Sequence, residues 1–418
     1  MKRLLVLTSH DFRGFANSRV HHLVAHFAPL FDETLVVFRP HSGPVSWRAF
    51  FRLGLRLERR GGLGLLEVSP WGARPHGVAT RLLRLENPFE RPPRPGKRLL
   101  QEAMAGLGAI SDLLIVPSLL RALRGLGAFD LALAQGPFEQ LTAAILRKRG
   151  RLKAFVCDDA DYEPGFAPAA VRRRIIALAE RRGMRAAELV VSVGRLLAAR
   201  RRAEYGLPRV AVVPNGVDYG LFRRARRKRE RGPVLLYMGF LGGWSGLDLL
   251  LSALVTLRAE GLEPPPLLLA GHEDPSYFAG WRKRAEEAGI SFLHLGRFPY
   301  RELVKPLSLA TIGWAAFPPV ELRRYAFSLK VVEYMAGGLA VLATEGTESG
   351  GVVEEHRAGI VFPYRAEEAA RAIEALTDRD TLSERMRNAA RAAPRYDWRK
   401  ILASYEELLR GHGLLPAA

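Results

Sequence analysis

Residues 328–344, Ser-Leu-Lys-Val-Val-Glu-Tyr-Met-Ala-Gly-Gly-Leu-Ala-Val-Leu-Ala-Thr, read as a short helix, a glycine stop and a buried strand. Leu329, Val332, Met335 and Ala336 recur at helical spacing and predict a stripe that faces a core. Lys330 and Glu333, three residues apart near the helix start, share another stripe and aim a cation and a carboxylate at one place. The bland reading of the pair is an exposed ion pair worth about 0.2–0.5 kcal/mol. The functional reading is a polar ligand held at a helix N-terminus.

Working outward, short apolar strands alternate with helical stretches on both sides of this segment. Before it, strands are expected near 234–238, 266–270, 291–295 and 311–315, and helices near 247–259, 276–288 and 300–309. The N-terminal half predicts strands near 3–8, 34–38, 64–68, 129–134, 153–157, 188–192 and 209–213. Helices fall near 18–30, 98–127, 137–149, 168–186 and 194–204. Such alternation argues for βαβ units and two successive parallel, doubly wound sheets. Pro214-Asn215-Gly216-Val217-Asp218 ends the first series. The basic run Arg223–Gly232 reads as a solvated linker, giving domains at 1–217 and 233–395 around a linker at 218–232. A last helix near 396–411 is expected to return to the N-terminal domain.

A chain of 418 residues exceeds what one core usually holds, which agrees with two domains. Sixty-three Lys and Arg against 43 Asp and Glu leave a formal charge of +20, which predicts attraction to anionic surfaces. No recognised nucleic-acid motif accompanies the arginines, so no specific nucleic-acid partner is expected. The single Cys157 excludes an intramolecular disulfide framework and fits a reducing cytoplasm. Residues 1–8 begin like a signal peptide, but His10, Asp11 and Arg13 follow a short apolar run, so a first β-strand is the better reading. Nowhere do 18 apolar residues run uninterrupted, and no transmembrane helix is predicted.

The Lys330-x-x-Glu333-Tyr334-x-Ala336-x-Gly338-x-Ala340-Val341 pattern resembles the donor motif of retaining glycosyltransferases of family 4, with Ala340 where that family usually has proline. The resemblance implies the GT-B fold: two Rossmann-like domains and a ligand cleft between them. It also implies a nucleotide-sugar donor, with Glu333 holding the ribose and Lys330 the diphosphate, beside the Ser328 and Leu329 amides. Gly239, Gly242 and Gly243, in the loop Gly239-Phe240-Leu241-Gly242-Gly243-Trp244-Ser245-Gly246, correspond to the phosphate loop. There Phe240 and Ser245 replace the family's arginine and lysine, so Lys330, Arg297 or another arginine would have to substitute. Tyr325 stands where a glutamate is usual, with Glu321 four residues earlier. Glu354 is a further donor-side or helix-capping candidate. No cofactor or metal is expected.

On the N-terminal side the resemblance places Gly14 in a glycine loop near the reacting groups. His10 and Arg19 are acceptor-side candidates, Arg19 for an anionic acceptor, with a satisfied loop histidine and a surface arginine as the alternatives. Asp158, Asp159 and Asp161 concentrate carboxylates after a buried strand. Asp159 and Asp161 are candidates for acceptor binding or base catalysis, and a capping or turn role is the alternative. Trp47–Arg60 places Arg48, Arg52, Arg56 and Arg59 on one helical stripe, which suits an anionic bilayer and a lipid-linked acceptor; an amphipathic helix packed on the sheet is the other reading. The expected function is glycosyl transfer to an unidentified acceptor, and the alternative is an inactive scaffold that binds a carbohydrate or a protein.

Overall fold

The computed structural model describes residues 2–13, 18–40, 53–69, 111–167, 169–226 and 232–415. The chain divides into two compact units, Met1–Val213 with Leu402–Ala418, and Pro214–Ile401. The first contains an eight-stranded sheet ordered β3-β4-β2-β1-β5-β6-β7-β8. Its strands are β1 Arg3–Thr8, β2 Glu33–Phe38, β3 Gly54–Arg60, β4 Leu63–Ser69, β5 Phe129–Gln135, β6 Leu152–Asp159, β7 Leu189–Ser192 and β8 Val210–Val212. All pairs are parallel except β3 with β4.

The reason lies in composition. β1 is Arg-Leu-Leu-Val-Leu-Thr, and all but its first residue are buried; such a run is stable only with helices over both faces. Leu5 pairs with Leu35 on one side and Ala132 on the other, and Leu5, Leu7, Ala132 and Phe155 are central to the core. Chain order reverses between β1 and β5, which makes that gap the switch point of the sheet.

The second unit holds six parallel strands ordered β11-β10-β9-β12-β13-β14. They are β9 Leu235–Met238, β10 Leu267–Ala270, β11 Phe292–His294, β12 Ile312–Ala315, β13 Ala340–Thr344 and β14 Gly359–Phe362. Its switch point is β9/β12, where pairing stops after Ile312↔Leu235 and Gly313↔Leu236. Beyond that register the strands part, and the Tyr334 hydroxyl fills the break. It accepts from the Met238 N–H at 2.8 Å and lies 3.4 Å from the Trp314 carbonyl, to which it donates. A methyl group on Gly313 would lie 2.4 Å from the Tyr334 ring, so glycine is required beneath it.

Two expectations need correction. Residues 54–60, expected within a helix, form β3, an edge strand whose Leu55 and Leu57 are 51% and 44% exposed. Alternation of Leu55 and Leu57 with Arg56 and Glu58 suits a strand, and β4 supplies seven backbone partners from Ser69 to Leu63. Arg48 and Arg52 lie outside the described residues. The linker is also shorter than expected, because residues 219–226 fold into the second unit as a helical turn, Tyr219–Phe222, and a 3-10 turn, Arg223–Arg226. Phe222 and Ala225 are fully buried. Arg226 donates to the carbonyls of Ala336 at 2.8 Å and Ala390 at 3.2 Å, closing the end of the Leu329–Gly337 helix where a cation is favoured. No helix among the described residues is long and apolar enough to cross a membrane.

Candidate active site: a donor-side loop cluster and a carboxylate network

In the second unit the loops after β9, β10 and β11 stack on one another. The Gly239 N–H donates to the Ala270 carbonyl at 2.8 Å, and the Gly271 N–H to the Gly296 carbonyl at 2.8 Å. Gly271, at φ 153°, passes so close that a methyl group there would lie 1.6 Å from the Gly239 oxygen. Gly246, at φ 78°, begins the helix Leu247–Ala259 against the Ala316 carbonyl, which a methyl group would meet at 2.0 Å. Phe240 stacks on Trp244 with centroids 4.9 Å apart and leans on His272, while Ser245 is fully buried and accepts weakly from the Leu247 N–H. These two positions bring packing to the loop and no positive charge.

Lys330 supplies charge instead. From the first turn of Leu329–Gly337 it reaches Gly239, where a methyl group would lie 2.8 Å from its Nζ. The ammonium sits 5.6 Å from the Tyr237 ring centre and 5.4 Å from that of Phe317. Burial and the nearby Arg323 guanidinium pull Lys330 down to about 8, with Glu333 acting the other way. Glu333 is 9% exposed, and burial pushes its carboxyl up. The two side chains form no ion pair, and neither makes a hydrogen bond among the described residues, so the bland reading of this pair does not hold. Tyr300 neighbours Glu333, and burial with that carboxylate raises its phenol. Ser328 precedes the helix without capping it.

The remaining donor-side candidates scatter. Gly242 sits against the Phe240 ring, and Gly243 occupies the same loop turn. Arg297 is exposed on the loop after β11, Tyr325 is buried, and Glu354 is exposed near the end of Glu348–Glu355, which is capped by Thr347. Arg323, which stacks at 5.0 Å on Phe317, is the cation that sequence reasoning left unnamed. A cavity of about 460 Å³ beside Val234 and Pro266 lies at the amino ends of β9 and β10, the wrong end of these strands for Lys330.

In the first unit, Gly14 lies outside the described residues. His10 is half-buried after β1, where its N–H donates to Thr8 Oγ1 at 3.1 Å. Arg19, expected to meet an anionic acceptor, is 6% exposed and grips Asp158 through Nε and Nη2 at 2.9–3.0 Å. Tyr405 and Gln135 donate to the same carboxylate. Asp159 is likewise internal: Arg201, fully buried, holds it at 2.9 Å and Glu180 at 2.8 Å, while Ser192 and Tyr205 complete the network. The chemistry expected of Arg19 and Asp159 is thus replaced by buried ion pairing. Asp161 is half-buried beyond this network, and its carbonyl accepts from Arg201 at 3.4 Å.

Residues 219–393 match the family model of glycosyl transferases group 1. The two-sheet architecture is the GT-B fold. It is shared with Anabaena HepE in complex with UDP, at 17% identity and TM-score 0.65 over 98% of this chain and 100% of that one. Sucrose-phosphate synthase from Thermosynechococcus elongatus matches at 15% identity and TM-score 0.67, over 98% and 99%. An Escherichia coli trehalose-6-phosphate structure bound with UDP-2-fluoro glucose matches at 12% and 0.66, over the full length of both chains. No curated protein sequence matches the chain. The group 1 match encloses Gly239, Lys330 and Glu333, and it begins at Tyr219, inside the segment that reads from sequence as linker.

Proposed function

We propose that the chain is a nucleotide-sugar-dependent glycosyltransferase whose donor is held by the second unit. The observation that carries this reading is the half-buried Lys330 and the buried Glu333, neither with a hydrogen bond or ion pair among the described residues, beside Gly239 at the β9/β12 switch point. A half-buried cation and a buried carboxylate without hydrogen bonds are costly. A donor answers both: its diphosphate carries charge to Lys330 and its ribose hydroxyls donate to Glu333. Amides of the 239–246 loop other than those of Gly239, Leu241 and Ser245, which bond within the fold, assist the diphosphate with those of Ser328 and Leu329, and Arg323 supplies the second cation that Phe240 and Ser245 do not.

Catalysis with retention fits this design, since holding an acceptor hydroxyl near the anomeric carbon and stabilising the departing diphosphate need no protein nucleophile. No metal is part of the reading. UDP is the favoured nucleotide because HepE and the Escherichia coli relative are described with UDP or a UDP sugar. The buried free thiol of Cys157 suits a cytoplasmic setting. The test is a thermal-shift series with UDP, GDP and their sugar conjugates on the parent chain and Glu333→Ala. Ligand at about 100 times its Kd adds roughly 2.7 kcal/mol, so a UDP-specific shift is expected in the parent and its loss in the variant. No shift with any nucleotide would favour the inactive-scaffold alternative.

A further inference from the structure

The first unit's sheet begins with a strand whose outer edge meets no other strand among the described residues. β3 heads the strand order, and β4 lies on its one paired side. Every residue from Gly54 to Arg60 except Glu58 is exposed. Pairing with β4 sets Leu55 across from Val68 and Leu57 across from Leu66, both members of the core. Leu55 and Leu57 therefore extend the core face of the sheet outward, yet they are 51% and 44% exposed. A seven-residue edge without proline presents its outward N–H and carbonyl groups as a template for another strand.

The sequence of β3 identifies the strand that fits. Gly-Leu-Arg-Leu-Glu-Arg-Arg, run antiparallel against itself about Leu57, sets Leu57 opposite Leu57, Arg56 opposite Glu58 and Glu58 opposite Arg56. Arg59 and Arg60 then face Leu55 and Gly54, so no like charges meet. A slip of one residue turns the core face outward and is excluded by the pleat. A slip of two sets Arg56 against Arg56 in one direction, and Glu58 against Glu58 with Arg56 against Arg60 in the other. Charge thus selects one register, with the two-fold axis at Leu57 that an isologous dimer requires. Glu58 accepts from Arg13 at 2.8 Å and from Arg56 at 3.1 Å in its own chain. A carboxylate offers about four lone-pair sites, so its acceptor capacity is not exhausted.

We propose that β3 pairs antiparallel with β3 of a second copy of this chain, joining two eight-stranded sheets at Leu57. The contact lies three strands away from β1 and is independent of the donor reading. Leu57→Cys tests the register, because directly opposed residues of an antiparallel pair have Cα atoms about 4.5–5.5 Å apart, within disulfide reach. The chain's own Cys157 is buried. Under mild oxidation Leu57→Cys is expected to form a covalent dimer, and Leu55→Cys, which faces Arg59 of the second copy, to form none above the parent level. Sedimentation velocity then reads the charge pairing at about 0.15 M salt, where long-range repulsion between two chains of charge +20 is screened. The parent forms a concentration-dependent dimer. Arg56→Glu and Glu58→Arg each set like charges opposite and lose it, whereas an equimolar mixture of the two variants restores it. A parent that is monomeric at every concentration, with Leu57→Cys not cross-linked, overturns the proposal and leaves the edge to another part of this chain or to a different protein. Equal cross-linking of both cysteine variants, or a dimer unmoved by either charge reversal, overturns it as well.

Discussion

Lys330 is where residue chemistry and ligand chemistry meet most directly. Its folded pKa, about 8, lies below the ordinary lysine value because burial disfavours the ammonium. A diphosphate binds the protonated form, so proton uptake accompanies binding above pH 8 and affinity falls as pH rises past that point. Calorimetry with UDP is expected to show Kd steady near pH 7 and rising about fivefold between pH 8 and 9. Lys330→Met weakens binding at pH 7 and removes that pH dependence; a slope that survives in the variant assigns it to another group. The Lys330–Glu333 pair was legible from sequence because both members sit on one helix, three residues apart. Arg19 and Asp159 were not, because what buries them arrives from Asp158 and Arg201, 139 and 42 residues away in the chain. Local pattern carries no record of such partners.

At the scale of elements, strands flanked by helices on both sides were readable, since five or six consecutive apolar residues leave few alternatives. β1, β2 and β5 all fall within two residues of expectation. β3 failed because Leu55, Leu57, Arg56 and Arg59 satisfy a helical stripe and a strand alternation alike, and pairing with β4 decided between them. The Leu329–Gly337 helix shows what the motif's tyrosine contributes. Tyr334 is no ligand candidate; its hydroxyl satisfies backbone groups where β9 and β12 separate. Tyr334→Phe leaves the Met238 N–H buried and unpaired, which costs about 1–3 kcal/mol. Urea denaturation of the second unit is expected to show that loss. An unchanged midpoint means the N–H finds another acceptor and the strand break does not depend on this hydroxyl.

On the scale of the whole molecule, each unit carries its own internal charge economy in addition to its apolar core. Arg201 is the centre of the first unit's network, where one guanidinium serves Asp159 and Glu180 with no exposure to solvent. Arg201→Met strands two buried carboxylates, and removal of one partner from such a site costs about 3–5 kcal/mol. Unfolding followed by a probe in each unit is expected to show the first unit weakened and the second unchanged. Equal weakening of both would show that the two unfold as one. Burial also pushes Glu180 up to about 7 despite Arg201. A carboxyl held above its unfolded value favours the fold when protonated, so this stabilisation is full below the unfolded value and fades as pH rises through 7.

The first unit is discontinuous, because residues from Leu402 onward belong with Met1–Val213 while the whole of Pro214–Ile401 lies between them. Tyr405 reaches Asp158, and Glu406 pairs with His26 at 2.8 Å. During synthesis, therefore, the part made first is not the part that can be finished first. The contiguous second unit has all its residues once Ile401 emerges, whereas the β1–β8 sheet waits with an Arg19–Asp158 pair still lacking its Tyr405 cover. The nascent chain must hold an incomplete unit for as long as 188 intervening residues take to translate, about 10–40 s at 5–20 residues per second, an interval in which chaperone capture competes with closure.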